Sequence, residues 1–393
     1  MKRRPMSALS RFSSRPEAPA ALFLAAAVVF VASWALVHTS FYAKHQLVDT
    51  PTYERYGQAV RAGDAPYRDF ELEYPPGALP VFVAPTFLGG YEWAFGWLMA
   101  ALGLCCLGLV VLARAPPWSV GFVAISPLLV GSLVFSRYDF WPAALVAGSL
   151  VALLGDRHRL GWGLLGAAVA AKLYPAALVP LAVVWTLRRQ GGRELAWAAG
   201  VGGAVVAAAF VPFLAVAPRG LWESVSGQLS RPLQIESLAA SLLTSLGHPQ
   251  VVGGHGSQNV AGHGVLAAFS TAFAVAVLVA LWAGFARGPA DRERLVRYAA
   301  AAVCAFVVFG KVLSPQYLIW LVPLVALVRG RRGLAAVALL AAALLTTQVW
   351  FPGRYWAYVE RFDLAWVVLA RNLLLIALLA VLSLPAHARA RSS

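Results

Sequence analysis

The chain has 393 residues, of which 60% are hydrophobic and only 12% charged, and its mean hydropathy is +0.71. Soluble domains run about 45–50% apolar and roughly 25% charged, and the excess here comes as apolar runs of about 13–22 residues, near the ~20 that carry a helix across a bilayer. These values exclude a soluble enzyme, a disordered chain, a fibrous protein and a β-barrel, whose strands would alternate, and they make the net charge of +15 a matter of sides of a membrane rather than of nucleic acid.

In chain order, the basic stretch 1–19 (Lys2, Arg3, Arg4, Arg11, Arg15) leads into an apolar run at 20–37. A polytopic body follows it, so it reads as an uncleaved first helix with its N-terminus inside rather than as a signal peptide. Residues 38–76 are polar and hold Asp49, Asp64, Asp69, Glu71 and Glu73. Residues 77–89 are apolar but short and broken by Pro80 and Pro85, predicting a juxtamembrane or re-entrant helix. Helices are predicted at 91–112, 118–135 and 140–154, the last two separated by Ser136-Arg137-Tyr138-Asp139.

Residues 160–187 are long for one span and short for two, yet both flanks are rich in arginine. Two short helices meeting at Lys172-Leu173-Tyr174-Pro175 return the chain to its starting side, and such breaks survive where protein or a water-filled cavity covers the freed backbone. A helix at 195–217, a polar loop at 218–264 and a helix at 265–286 follow. Residues 298–329 repeat the break at Lys311-Val312-Leu313-Ser314-Pro315, and helices at 333–350 and 364–384 end the body. The chain is thus predicted to be an all-α polytopic membrane protein of about 12 helices. It forms one membrane domain over 20–384, with outer loops 38–90 and 218–264, and both termini, including the tail 385–393, are cytoplasmic. Sorted by side, the whole excess of +15 falls on the cytoplasmic face, and the outer face is neutral but rich in carboxylates.

That outer face carries the candidate chemistry. Asp49 lies soon after the first helix, where a carboxylate can serve as general base on a hydroxyl or simply be a solvated loop residue. Asp69, Glu71 and Glu73, if extended, share one side, suited to Mg²⁺ or Mn²⁺, to sugar hydroxyls, or to solvent alone. His248, His255 and His263 match no common zinc spacing. Cys105, Cys106 and Cys304 lie in apolar helices and read as buried small side chains. The chain has four lysines against 28 arginines, and two of the four, Lys172 and Lys311, precede the two proline breaks. A lysine at membrane depth costs at least ~2.5 kcal/mol and marks a functional position, and a compact ammonium suits a phosphate oxygen; the alternative is snorkelling to the interface. Arg137 and Asp139 stand at the same level, either paired or with Arg137 facing the same anion. Gln228, Arg231, Gln234 and Glu236 can hydrogen-bond a polyol, or belong to a capped surface helix.

Several segments in order resemble one family. Asp49-x3-Tyr53, Gly63-x2-Pro66-Tyr67-Arg68-Asp69-Phe70 and Glu73-Tyr74-Pro75-Pro76-Gly77 are similar to the first outer loop of glycosyltransferase family 87, polytopic GT-C-type transferases that use polyprenyl-phosphate sugars. Ser136-Arg137-Tyr138-Asp139-x-Trp141-Pro142, Ala171-Lys172-Leu173-Tyr174-Pro175, Arg231-Pro232-Leu233-Gln234-x-Glu236-Ser237 and Lys311-x2-Ser314-Pro315-Gln316-Tyr317 extend the resemblance over nearly the whole chain.

The resemblance implies a GT-C fold in the plasma membrane, an outward-facing site, and inverting transfer of a hexose, mannose above others, from a polyprenyl-phosphate donor to a hydroxyl of an envelope glycan or glycolipid. It implies Asp49 as base with Asp69 as competitor, and Lys172, Lys311 and Arg137 at the donor phosphate. Tyr53, Tyr67, Glu73, Tyr74, Arg231, Gln234, Glu236 and Tyr317 are the candidates for sugar or acceptor binding. A phosphate monoester is already a good leaving group, so no metal and no cofactor is expected; Mg²⁺ or Mn²⁺ is the lesser alternative. The expected partners are the lipid-linked donor, the acceptor and the bilayer, and no nucleic acid. The competing readings are a transporter or flippase of a lipid-linked or anionic substrate, which broken helices and intramembrane lysines also fit, and a non-catalytic envelope assembly protein.

Overall fold

The computed structural model describes residues 17–39, 42 and 47–384. The basic stretch 1–16 and the tail 385–393 lie outside the described residues, and with them most of the two predicted cytoplasmic tails. Helix α1 (Glu17–Val37) is apolar on all sides. The polar stretch that follows contains a helix the sequence reading passed over, α2 (Thr50–Ala62). It starts at Asp49 with Pro51 in its first turn and ends where Gly63 takes a left-handed φ of 100°, a common helix stop. Its buried Thr50, Tyr53, Tyr56 and Gly57 recur at helical spacing and form the inner face.

The proline-rich run becomes a short, irregular helix, α3 (Pro76–Phe87), entered and left through 3₁₀ turns. Next come α4 (Tyr91–Leu112), α5 (Pro117–Val130) and α6 (Phe140–Leu154). The first predicted break is present. Helix α7 (His158–Ala171) ends at Lys172, whose backbone is extended, and a 3₁₀ turn at Tyr174–Leu178 leads into α8 (Val179–Val216). Helix α8 is itself two helices, because Gly191 has non-helical φ and ψ of 82° and 175°.

The predicted loop 218–264 is more ordered than its polarity suggested. It contains α9 (Pro218–Ser230), α10 (Leu238–Leu246), whose first turn is capped by the Ser237 hydroxyl, and an antiparallel hairpin of β1 (Val251–Gly254) and β2 (Ser257–Val260). The all-α reading omits this hairpin. Its glycine-rich strands carry little β-propensity. Its signature is the two-residue turn His255-Gly256, both with positive φ, as tight hairpins require. Residues 233–235 add to its edge, with Ile235 N–H donating to the Gln258 carbonyl and Val260 N–H to the Leu233 carbonyl.

Helices α11 (Gly264–Arg287) and α12 (Arg292–Phe309) precede the second break. Ser314 is extended there, as steric conflict with Pro315 demands, and α13 (Pro315–Ala326) resumes through a 3₁₀ turn. Helices α14 (Gly330–Trp350), α15 (Tyr355–Arg361) and α16 (Ala365–Ser383) complete the described chain. The core centres on α12 and α13. Residues 299–305 and 321–326 are buried on every side, so these segments are apolar all round rather than along a stripe.

Among the described residues six helical stretches are long and apolar enough to cross a membrane: 19–37, 91–112, 174–216, 264–287, 330–350 and 365–383. The count of about 12 is therefore not reproduced. Helices α3, α5, α6 and α13 are apolar but hold only 10–17 residues, short of the ~20 that a ~30 Å hydrocarbon core takes.

The arginine-rich turns gather at one end. Asp156 pairs with Arg189 and Arg292, Arg188 donates to the Ala286 and Gly288 carbonyls, and Arg329 donates to the Ala113 and Arg114 carbonyls. One basic face is thus assembled from five separate turns.

Candidate active site

The loop after α1, the two proline breaks and the hairpin enclose a cavity of about 680 Å³. Asp49, Tyr53, Glu73, Tyr74, Arg137, Lys172, Arg231, Gln234, Glu236, Lys311 and Tyr317 all lie on its wall. Tyr67 and Asp69 do not. Tyr67 is buried behind the wall and donates to the Tyr74 carbonyl at 2.6 Å. Asp69 sits in a tight outer turn, where Arg68 (2.8 Å) and the Ala65 N–H (2.8 Å) hold its carboxyl down to about 2. That turn, rather than an extended strand, separates Asp69 from Glu71 and Glu73. Among the described residues no group of three or more His, Cys, Asp or Glu side chains is placed to hold a metal ion.

Asp49 enters from the start of α2 with its side chain a third exposed. The Arg137 guanidinium pairs with its carboxylate, and the Tyr53 hydroxyl donates to it at 3.3 Å. Arg137 also donates to the Leu47 carbonyl at 2.9 Å, which fixes it beside the acid. The sequence left open whether Arg137 pairs with Asp139; its ion pair is with Asp49, 88 positions earlier.

Asp139 belongs to a different knot. The Lys172 ammonium and the Trp320 indole N–H both donate to its Oδ1, each at 2.6 Å. Lys172 also lies over the rings of Tyr138 (4.5 Å), Trp320 (5.0 Å) and Tyr317 (5.4 Å), a cation–π box. Trp320 is stacked between Tyr174, 3.9 Å away, and Tyr317, 4.2 Å away. The start of α6, the first break and the second break are thus tied at one buried point.

Lys311 is disposed differently. Its ammonium donates to the Leu229 carbonyl at 2.7 Å, and its own carbonyl accepts from the Gln234 N–H at 3.0 Å. Arg231 braces the hairpin tip through the His255 carbonyl (3.1 Å) and the Ser257 hydroxyl (3.0 Å). Gln228 reaches across to the Glu73 carbonyl at 3.1 Å, joining the second outer loop to the first. Glu236 is 2% exposed. Burial pushes its carboxyl up to about 7, against the opposing pull of Arg371, the Tyr355 hydroxyl and Arg231.

The rest of the wall was not singled out in the sequence. Thr52, Arg55, Tyr138, Trp320 and Tyr355 add polar and aromatic groups. Ala274, Val275 and Leu278 of α11, with Phe306, Val312 and Phe351, form an apolar side. Val275 lines the cavity and is 53% exposed, on the same face of α11 as Ala274 and Leu278. Apolar wall positions carry no sequence signal in a chain this oily. Trp320 and Tyr355 were legible only as aromatic residues near a break or a helix start.

A polytopic helical body with six stretches long and apolar enough to cross a membrane, enclosing a charged and aromatic cavity with an apolar side, defines an integral membrane protein. The sequence model of glycosyltransferase family 87 matches residues 72–315, more than half of the chain, and the chain belongs to that family: it is a membrane glycosyltransferase. The matched segment carries Glu73, Arg137, Lys172, Arg231, Gln234, Glu236 and Lys311, whereas Asp49 and Tyr317 lie outside it. Among solved structures the chain is similar to the crystal structure of ArnT from Cupriavidus metallidurans bound to undecaprenyl phosphate, at 17% identity and a TM-score of 0.50, over 94% of this chain and 77% of ArnT. The likeness is one of fold, that of the GT-C glycosyltransferases. No curated protein matches the chain in sequence.

Proposed function

We propose that the protein transfers a hexose, mannose in the first instance, from a polyprenyl-phosphate donor to a hydroxyl of an envelope glycan or glycolipid, with inversion, on the outer side of the plasma membrane. The carrying observation is that one cavity joins a wall of cations and carboxylates to an apolar wall supplied by α11, a helix long and apolar enough to cross a membrane. A sugar phosphate needs the first wall and an isoprenoid tail the second. The ArnT structure, of similar fold, holds such a lipid phosphate. The gathering of arginine-rich turns at one end supports a cytoplasmic assignment for that end and for both termini.

In the reaction the acceptor oxygen attacks the anomeric carbon and the bond from that carbon to the phosphate oxygen breaks. The bonding pair leaves on the polyprenyl phosphate, and the acceptor proton passes to the Asp49 carboxylate. The ion pair with Arg137 and the Tyr53 hydroxyl orient that carboxylate for the transfer. Lys311, with one donor on Leu229, has further donors to offer the departing phosphate, and Arg231 and Arg137 add positive charge on the same wall. With these cations at the leaving group, we propose that the reaction runs without a metal or cofactor.

The test is transfer of labelled mannose from polyprenyl-phospho-mannose to envelope acceptors in membranes, with and without EDTA. Activity should persist in EDTA, and Asp49→Asn should lose about 10²–10⁴-fold in kcat while the protein is still produced and inserted. Full activity of Asp49→Asn would overturn the base assignment, and abolition by EDTA the metal-free route.

A further inference from the structure

Two buried hydrogen-bond acceptors on residues that line the cavity have no donor among the described residues: Oε2 of Glu236 and Oε1 of Gln234. Both side chains are nearly fully buried, at 2% and 3% exposure. A buried acceptor without a donor is disfavoured, and native proteins leave few of them. Phosphate cannot satisfy these two, since its oxygens are acceptors themselves. An O–H group can. The donor side chains Lys311, Arg231 and Arg137 line the same wall, so the cavity offers two chemistries: donors for an anion and acceptors for hydroxyls.

The backbone bearing the acceptors is held rigidly. Tyr358 donates to the Ile235 carbonyl at 2.7 Å, Arg371 to the Glu236 carbonyl at 2.9 Å, and Asn372 to the same oxygen at 3.3 Å. The Ile235 N–H is bonded to the hairpin, and Ser237 caps α10. Arg371, fully buried in α16, therefore acts through Glu236 as a positioning residue.

We propose that Glu236 and Gln234 form the subsite that reads hydroxyl configuration on the transferred hexose, Glu236 Oε2 and Gln234 Oε1 each accepting from a sugar O–H. This rests on the transferase reading above and adds to it the residues that set sugar specificity. The Tyr355 hydroxyl acts on the Glu236 carboxyl as a donor, so the two carboxyl oxygens offer separate acceptor positions, one for the tyrosine and one for a sugar hydroxyl. A glutamine turns one of those oxygens into an N–H₂ donor and cannot keep both positions as acceptors.

The experiment compares wild type, Glu236→Gln and Gln234→Ala with polyprenyl-phospho-mannose, its glucose epimer and polyprenyl phosphate without sugar. Both variants should raise KM for the preferred sugar donor about tenfold or more and narrow its preference over the epimer, because an acceptor for a substrate hydroxyl is lost. Binding of sugar-free polyprenyl phosphate should stay within about twofold, which also shows that the variants are folded. Unchanged KM and unchanged epimer preference in both variants would overturn the proposal, as would equal loss of affinity for the sugar-free lipid. If wild type transfers neither sugar, the transferase reading fails first. If wild type is selective and the variants keep that selectivity, only the subsite fails.

Discussion

Asp49, Asp139 and Glu236 are three acids of one cavity region set to different states by their neighbours. Asp49 is paired with a guanidinium, Asp139 is locked to an ammonium and an indole, and Glu236 is buried with one oxygen unpaired. Glu236 makes stability depend on pH in a definite direction. Its carboxyl rises from 4.5 to about 7, so its neutral form is favoured in the folded protein. The contribution is full below the ordinary value and is lost as pH climbs through about 7. The groups facing it are Arg371 of α16, Tyr355 and Tyr358 of α15, and Arg231 and Arg137. Glu236→Gln, which mimics the neutral acid, should gain up to about 3 kcal/mol over wild type near pH 8 and little near pH 4.5. Thermal unfolding of both proteins across that range checks this, and a difference that does not grow with pH would refute it. The sequence presented Lys172 and Lys311 as twins before their prolines. What separates them is Asp139, 33 positions from Lys172 and far from Lys311, a pairing that tertiary structure alone creates.

At the scale of elements, both proline breaks were readable, because length, flanking arginines and Ser-Pro or Tyr-Pro steps act locally. Helix α2 and the hairpin were not, because α2 buries only a short face of four residues and the glycine-rich strands carry little β-propensity. The Lys172–Asp139–Trp320 knot is what holds the two breaks together. Removing one charge of a buried pair strands the other and costs about 3–5 kcal/mol. Asp139→Asn should therefore destabilise the protein by that order, and the double variant Asp139→Asn with Lys172→Met should recover much of it. Melting in detergent micelles decides: a double variant no better than Asp139→Asn would count against a stranded ammonium as the cause. The first outer loop is seated just as tightly. A Cβ at Gly77 would stand 2.5 Å from the Ala170 carbonyl carbon, and Trp141 donates to the Gly77 carbonyl at 2.9 Å. That seat lies two residues before Lys172, which explains why a glycine follows the proline pair there.

For the whole molecule, the excess of positive charge became informative once it was sorted by side. The proposed orientation, with the arginine-rich turns inside and the cavity outside, can be measured. In a background without the three native cysteines, a cysteine replacing His248 should react with an impermeant thiol reagent in intact cells. One replacing Arg331 should react only after permeabilisation. The reverse pattern would invert the topology. The helix count was the least legible property, because α3, α5, α6 and α13 are apolar enough to look like crossings yet too short to make them alone.

The apolar side of the cavity is furnished by Ala274, Val275 and Leu278 of α11, a helix long and apolar enough to cross a membrane. For the lipid-linked donor proposed above, whose tail stays in hydrocarbon, encounter takes place in two dimensions, and turnover would follow the mole fraction of donor in the surface rather than its amount per litre. The spent carrier stays in the same membrane, so product inhibition would rise with its share of the membrane area.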